Sequence, residues 1–135
     1  MMKAETRRGP VALAAAKGWL ARSLEGVAYA DMKLGNLDSA STTISEASRV
    51  DPQSAIVGST ALKVMCLRKA DPPAVRAQYE ELLGRLDARI ARSKVSEAPE
   101  PDRRTEARDA AAERAVLVRD PELYLVCSAA GLPRA

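Results

Sequence analysis

Arg85, Arg89 and Arg92 stand at i, i+4 and i+7, a spacing that puts their side chains on one face of a helix. Positive charge in that register is the chemistry of phosphate-backbone binding. The same register suits a plain solvated face, and Glu81 stands four residues before Arg85, where the two can pair. Tyr79 is the one aromatic nearby, too little to stack bases on, so the solvated face is expected and nucleic acid is the alternative. Elsewhere the reactive side chains do not converge. The chain has no histidine. That removes the imidazole base of Ser-His-Asp and Cys-His sites and the imidazole ligand of zinc. Glu80 and Glu81 are adjacent, and adjacent residues of a helix point to different sides. No GxxxxGK loop is present to cradle a phosphate. Cys66 and Cys127 lie far apart with no CxxC pair. The expectation is two buried thiols in a reducing cytosol, with a single disulfide as the other arrangement. These residues point to binding rather than catalysis: no enzyme, no catalytic residue, no metal and no cofactor is expected.

Binding faces need elements to carry them, and composition says which. The chain has 135 residues, 47% of them hydrophobic, with a net charge of +3. Aromatics make up only 3%, while alanine alone contributes 26 residues. Alanine is the best helix former, and small residues let helices approach closely, so a single all-α domain over 1–135 is expected. No apolar run reaches the roughly 18–20 residues of a membrane span. Neither a signal peptide nor a transit peptide is recognised, and a cytoplasmic location is expected, with the nucleus left open.

Punctuation and periodicity divide the chain into about six helices in three hairpins. Gly9-Pro10 is read as the opening of the first, with 1–9 flexible before it. Leu13, Ala16, Leu20, Leu24, Val27, Ala28 and Met32 follow at helical spacing, and Trp19 is read as a packing residue of this hairpin. Gly35-Asn36 ends the helix, Gly35 accepting the left-handed cap geometry. The second helix presents Leu37, Ala40, Ile44 and Ala47 and stops at Asp51-Pro52. The third, about 54–70, offers Ile56, Ala61, Leu62, Met65 and Cys66 to a core. Asp71-Pro72-Pro73 starts the fourth, whose Val75, Tyr79, Leu82, Leu83, Leu86 and Ile90 form the clearest amphipathic stripe. Residues 93–102 read as a flexible connection. A solvated helix at 103–118 follows, with alternating acids and arginines. Asp120-Pro121-Glu122 opens the last element, Leu123–Ala130, read as helix because a lone strand would have no partner.

The stretch GNLDSASTTISEASRVDP resembles the second half of a tetratricopeptide repeat (TPR), a helix–turn–helix unit of 34 residues. Gly35 falls on the turn glycine, Ala40 and Ala47 on small positions, Ile44 on the large apolar one and Pro52 on the terminal proline. Upstream, Leu24, Val27 and Ala28 fall on the Trp, Leu and Gly positions. This unit covers about 21–54. A degraded one covers about 55–89, with Ala61-Leu62 on the Leu-Gly pair. The resemblance implies a short solenoid whose first helices line a concave groove for a peptide or partner helix. By position the groove residues are Arg22, Glu25, Tyr29, Met32 and Lys33, with Ser59, Lys63, Cys66 and Leu67 from the second unit. Members that clamp a terminal carboxylate use a Lys/Asn set. Here Glu25 and Tyr29 stand in those places, so that clamping is not expected. The implied role is a non-catalytic adaptor, scaffold or chaperone whose partner is a protein segment, with self-association second and no membrane.

Overall fold

A computed structural model describes residues 2–95 and 99–133, with side chains from residue 12 onward. The chain is all-helical, with no strand among the described residues. Five long helices are followed by a short sixth: α1 (Met2–Lys33), α2 (Leu37–Val50), α3 (Ala55–Leu67), α4 (Pro72–Val95), α5 (Glu100–Val118) and α6 (Pro121–Val126). A 3-10 turn, Ser128–Ala130, completes the chain's described structure before Gly131 turns it in left-handed geometry.

The helix ends follow local chemistry. Gly35 sits at φ +85°, where a side chain is strained, and it closes α1 as the sequence implied. Ser54 caps α3 by accepting a hydrogen bond from the Val57 amide. At the other end of α3 no glycine is available, and Lys69 itself takes a positive φ of 62°. Asp120 caps α6 by accepting from the Leu123 amide at 3.2 Å. Two boundaries differ from expectation. α1 passes straight through Gly9-Pro10 and begins at Met2, Met1 being outside the described residues. The connection expected at 93–102 is short: α4 runs to Val95 and α5 starts at Glu100, with 96–98 outside the described residues.

α3 is the centre of the molecule. It touches α1, α2, α4, α5 and α6, and eight of its 13 residues are buried. α1 packs along α2 on one side of it, and α4 packs along α5 on the other. The first side is sealed by small residues: Ala21, Ala28 and Ala47 with Ile44, Val57 and Ala61. Their short side chains let the helices approach closely, which aromatics would prevent. The second side holds the larger core, where Leu62, Val75, Tyr79, Leu82, Leu86 and Leu117 meet Leu123 and Tyr124. Here the amphipathic stripe expected for α4 is buried, with Leu83 and Ile90 at its margin. Gly58 marks the closest approach of α3 and α4, since a Cβ there would lie 2.2 Å from Leu82 Cδ2.

α1 corrects the sequence reading of its own face. The buried residues are Ala21, Glu25, Ala28 and Met32, whereas Leu13, Ala16, Leu20 and Val27 are exposed. Trp19, read as a packing residue, is 76% exposed. α1 carries two apolar stripes, and its neighbours cover the one of small residues, Ala21 and Ala28. α1 has 32 residues and α2 only 14, and α2 ends at Val50, in the cluster that contains Ala21. The part of α1 before Ala21 therefore runs past its neighbour. On α5 the acid–arginine alternation leaves most residues in solvent, but the ion pairs found are Arg104–Glu100 and Arg114–Asp87.

Candidate functional site

The inner faces of α1 and α3 and the turn between α5 and α6 enclose an open cleft of about 480 Å³. Glu25 and Tyr29 project from α1, spaced by four residues and so on one face. Ile56, Ser59, Thr60 and Lys63 project from α3 by the same logic. Val116, Asp120, Pro121 and Glu122 close the third side. Ile56 and Val116 supply an apolar lip, and apart from Pro121 the remaining wall carries polar groups.

The polar wall is a connected network. Lys63, its side chain 7% exposed, lies 2.8 Å from Asp120 Oδ2 and 3.0 Å from Glu122 Oε1. Ser59 donates to Asp120 at 2.6 Å. Glu122 also accepts from the Tyr29 hydroxyl at 3.0 Å and from Lys33 at 2.9 Å. The Tyr29 ring centroid lies 5.6 Å from the Lys33 ammonium and 5.7 Å from that of Lys63, within cation–π range. Deeper in, the Thr60 hydroxyl donates to the buried Glu25 carboxylate at 3.0 Å.

These contacts set the protonation of the acids. Burial alone would raise the Asp120 carboxyl, but hydrogen bonds from Lys63, Ser59 and the Leu123 amide outweigh it and hold the group below its ordinary range. Glu122 is lowered chiefly by the Lys33 hydrogen bond, against burial, with help from Lys63 and Tyr29. Lys33 is raised in return, first by its hydrogen bond to Glu122. Both acids are thus held in the charged form, and Lys33 in the protonated form, at neutral pH.

The structure brings together some of the residues expected in the groove and separates others. Glu25, Tyr29, Ser59 and Lys63 line the cleft, and Lys33 reaches its edge through Glu122. Met32 is instead core, packed with Ala40 and Val64. Arg22 and Leu67 are exposed and lie outside the cleft lining. Cys66 carries no free thiol. It is bridged to Cys127, with a Cα separation of 5.4 Å, which corrects the expectation of two reduced cysteines. Thr60, Val116, Asp120 and Glu122 were not read as site residues. Asp120-Pro121-Glu122 carried a visible signal as a helix start, but nothing local showed that its two acids would face Lys33 and Lys63. The two carboxylates that clasp Lys63 are side chains of the same molecule.

The arginines of α4 do not form a free stripe. Arg85 is engaged by Glu81 and by the Pro52 carbonyl, Arg89 is half-buried, and Arg92 is exposed. No cluster of three or more potential metal ligands occurs among the described residues, and none of their helices is long and apolar enough to cross a membrane. No protein-family model, curated protein or solved structure matches this chain.

Proposed function

We propose that the chain is a non-catalytic protein-binding module, a short TPR-like adaptor, scaffold or chaperone that receives a protein segment in the cleft between α1 and α3. One observation carries the reading. The cleft is open and has an apolar lip, while the charged groups of its wall are already engaged internally, Lys63 by Asp120 and Glu122 and Glu25 by Thr60. Such a wall is preorganised: it costs little to order on binding, and it leaves the lip to take an apolar side chain. The pairing of α1 with α2 supports a first hairpin of this kind, although α4 packs along α5 more than along α3. Binding of nucleic acid through Arg85, Arg89 and Arg92 is the weaker reading, because Arg85 is tied to Glu81 and Pro52.

The test is a pull-down from lysate with and without nuclease, using the wild-type chain and Val116→Asp, an exposed lip change that leaves the core intact. A protein retained after nuclease by the wild type and lost with Val116→Asp supports the module. Retention that vanishes on nuclease treatment and falls steeply with salt would transfer the function to the arginine face.

A further inference from the structure

The face of α1 turned away from the cleft is apolar and uncovered. Leu13, Leu20, Val27 and Leu34 recur every seven residues and are 56%, 49%, 55% and 76% exposed. Leu34 stands just past the last helical residue, Lys33. Ala16, Ser23 and Ala30 follow the first three of these by three positions and are also exposed. Large and small residues alternating at three and four form the seam of a two-helix coil. At 1.5 Å per residue this seam is about 31 Å long, and a strip of that extent marks a protein contact.

The strip contains its own complement. Two parallel copies would set leucine against leucine and alanine against alanine, leaving voids at the small layers. Two antiparallel copies set three of the four large residues on small ones, with Leu13 beyond the paired layers: Leu20 on Ala30 of the second copy, Val27 on Ser23, and Leu34 on Ala16. In that register Lys17 of one copy comes beside Asp31 of the second, and symmetry repeats the pair. Within one chain these two residues form no ion pair among the described residues. They are 14 positions apart, about 21 Å along the helix, and cannot meet in cis. Gly26 falls beside the crossing point. A Cβ there would touch nothing within 4 Å, so the fold of one chain does not require this glycine.

We propose that α1 is the interface of a twofold antiparallel homodimer, with the Leu13–Leu34 strip as its seam and two Lys17–Asp31 pairs fixing its register. The interface is isologous, so it closes on itself and does not propagate into fibres. It lies on a different face of α1 from Glu25 and Tyr29, and it stands or falls independently of the function proposed for the cleft.

Light scattering after size exclusion on the full chain, loaded over about 1–100 µM to span the mass-action range, reads the proposal directly. The expected mass is twice the 14.4 kDa of one chain. Leu20→Glu with Val27→Glu changes two exposed positions and should give a folded monomer, with helix content checked by circular dichroism. Lys17→Asp alone should weaken the dimer several-fold, and adding Asp31→Lys should restore it. A parallel dimer would show no such rescue. A wild-type monomer throughout the range, a dimer indifferent to the two glutamates, or a reversed pair without rescue would each overturn the proposal. The monomer result would leave the strip to a different protein.

Discussion

Replacing Lys63 with methionine removes the cation on which the cleft wall converges while keeping a side chain of similar length. Lys63 is 7% exposed, and its partners Asp120 and Glu122 are 18% and 26% exposed. Deleting one partner of a well-buried pair costs about 3–5 kcal/mol, because the remaining charge is left desolvated. Two features place this case at the low end. Asp120 keeps Ser59 and the Leu123 amide, and Glu122 keeps Tyr29 and Lys33. A loss of about 3 kcal/mol is therefore expected, which for a chain of this size lowers the thermal midpoint by roughly 10 °C. The pH dependence identifies the cause. Both acids have folded pKa values below their unfolded ones. Their contribution is complete above the unfolded values, about 4, and disappears as pH falls through the lower folded values. The gap between wild type and Lys63→Met should close over that acid range. Adding Asp120→Asn and Glu122→Gln to Lys63→Met should recover much of the loss at pH 7, since neither acid is then left as an uncompensated charge and Lys33, which loses Glu122, is exposed. The assay is thermal unfolding by circular dichroism at pH 7 and pH 3. A midpoint within about 2 °C of wild type at pH 7 would refute a buried, coupled clasp, as would a gap that persists unchanged in acid.

Three further perturbations test the frame around that cleft. Gly35→Val should destabilise by more than about 1 kcal/mol in a denaturant titration, because a β-branched residue is strained at φ +85°, although the space around it is open. Gly58→Ala should cost about 1–3 kcal/mol by pressing on Leu82, whereas alanine in an open helix position would be neutral or stabilising. Reducing the Cys66–Cys127 bridge opens a loop of sequence separation 61 and should lower stability by about 4 kcal/mol, seen as a drop in the urea midpoint on adding a dithiol.

What the sequence displayed and what it concealed divide along a physical line. Val75, Tyr79, Leu82 and Leu86 were legible because one helix face repeats locally, and Gly35 was legible because its backbone angle admits few alternatives. α1 was misread because it carries two apolar stripes. Leu13, Leu20 and Val27 recur by seven, and so do Ala21 and Ala28. Periodicity reports that stripes exist but not which one a neighbour covers, and the covered one proved to be the stripe of small residues. Of the cleft, Glu25, Tyr29 and Lys63 could be placed by their register on the first helix of each hairpin. Asp120 and Glu122 could not, because their partners lie up to 93 positions away and pairing at that distance exists only in the folded chain. The disulfide was hidden for the same reason.

Two faces of the helical core are treated in different ways. Beyond α3 and α5 the chain covers itself: α6 turns back, sets Leu123 and Tyr124 on Leu62 and Tyr79, and is bolted to α3 through Cys66–Cys127. That closure also builds the cleft, since the turn leading into α6 supplies Asp120 and Glu122. The Leu13–Leu34 face of α1 has no such cover. A second copy seated there would leave both clefts open, because Glu25 and Tyr29 emerge from a different side of the same helix. Such a dimer would offer two equivalent sites on one rigid body. A partner carrying two matching segments would then bind far more tightly than either site alone allows, provided its linker spans the distance between the clefts.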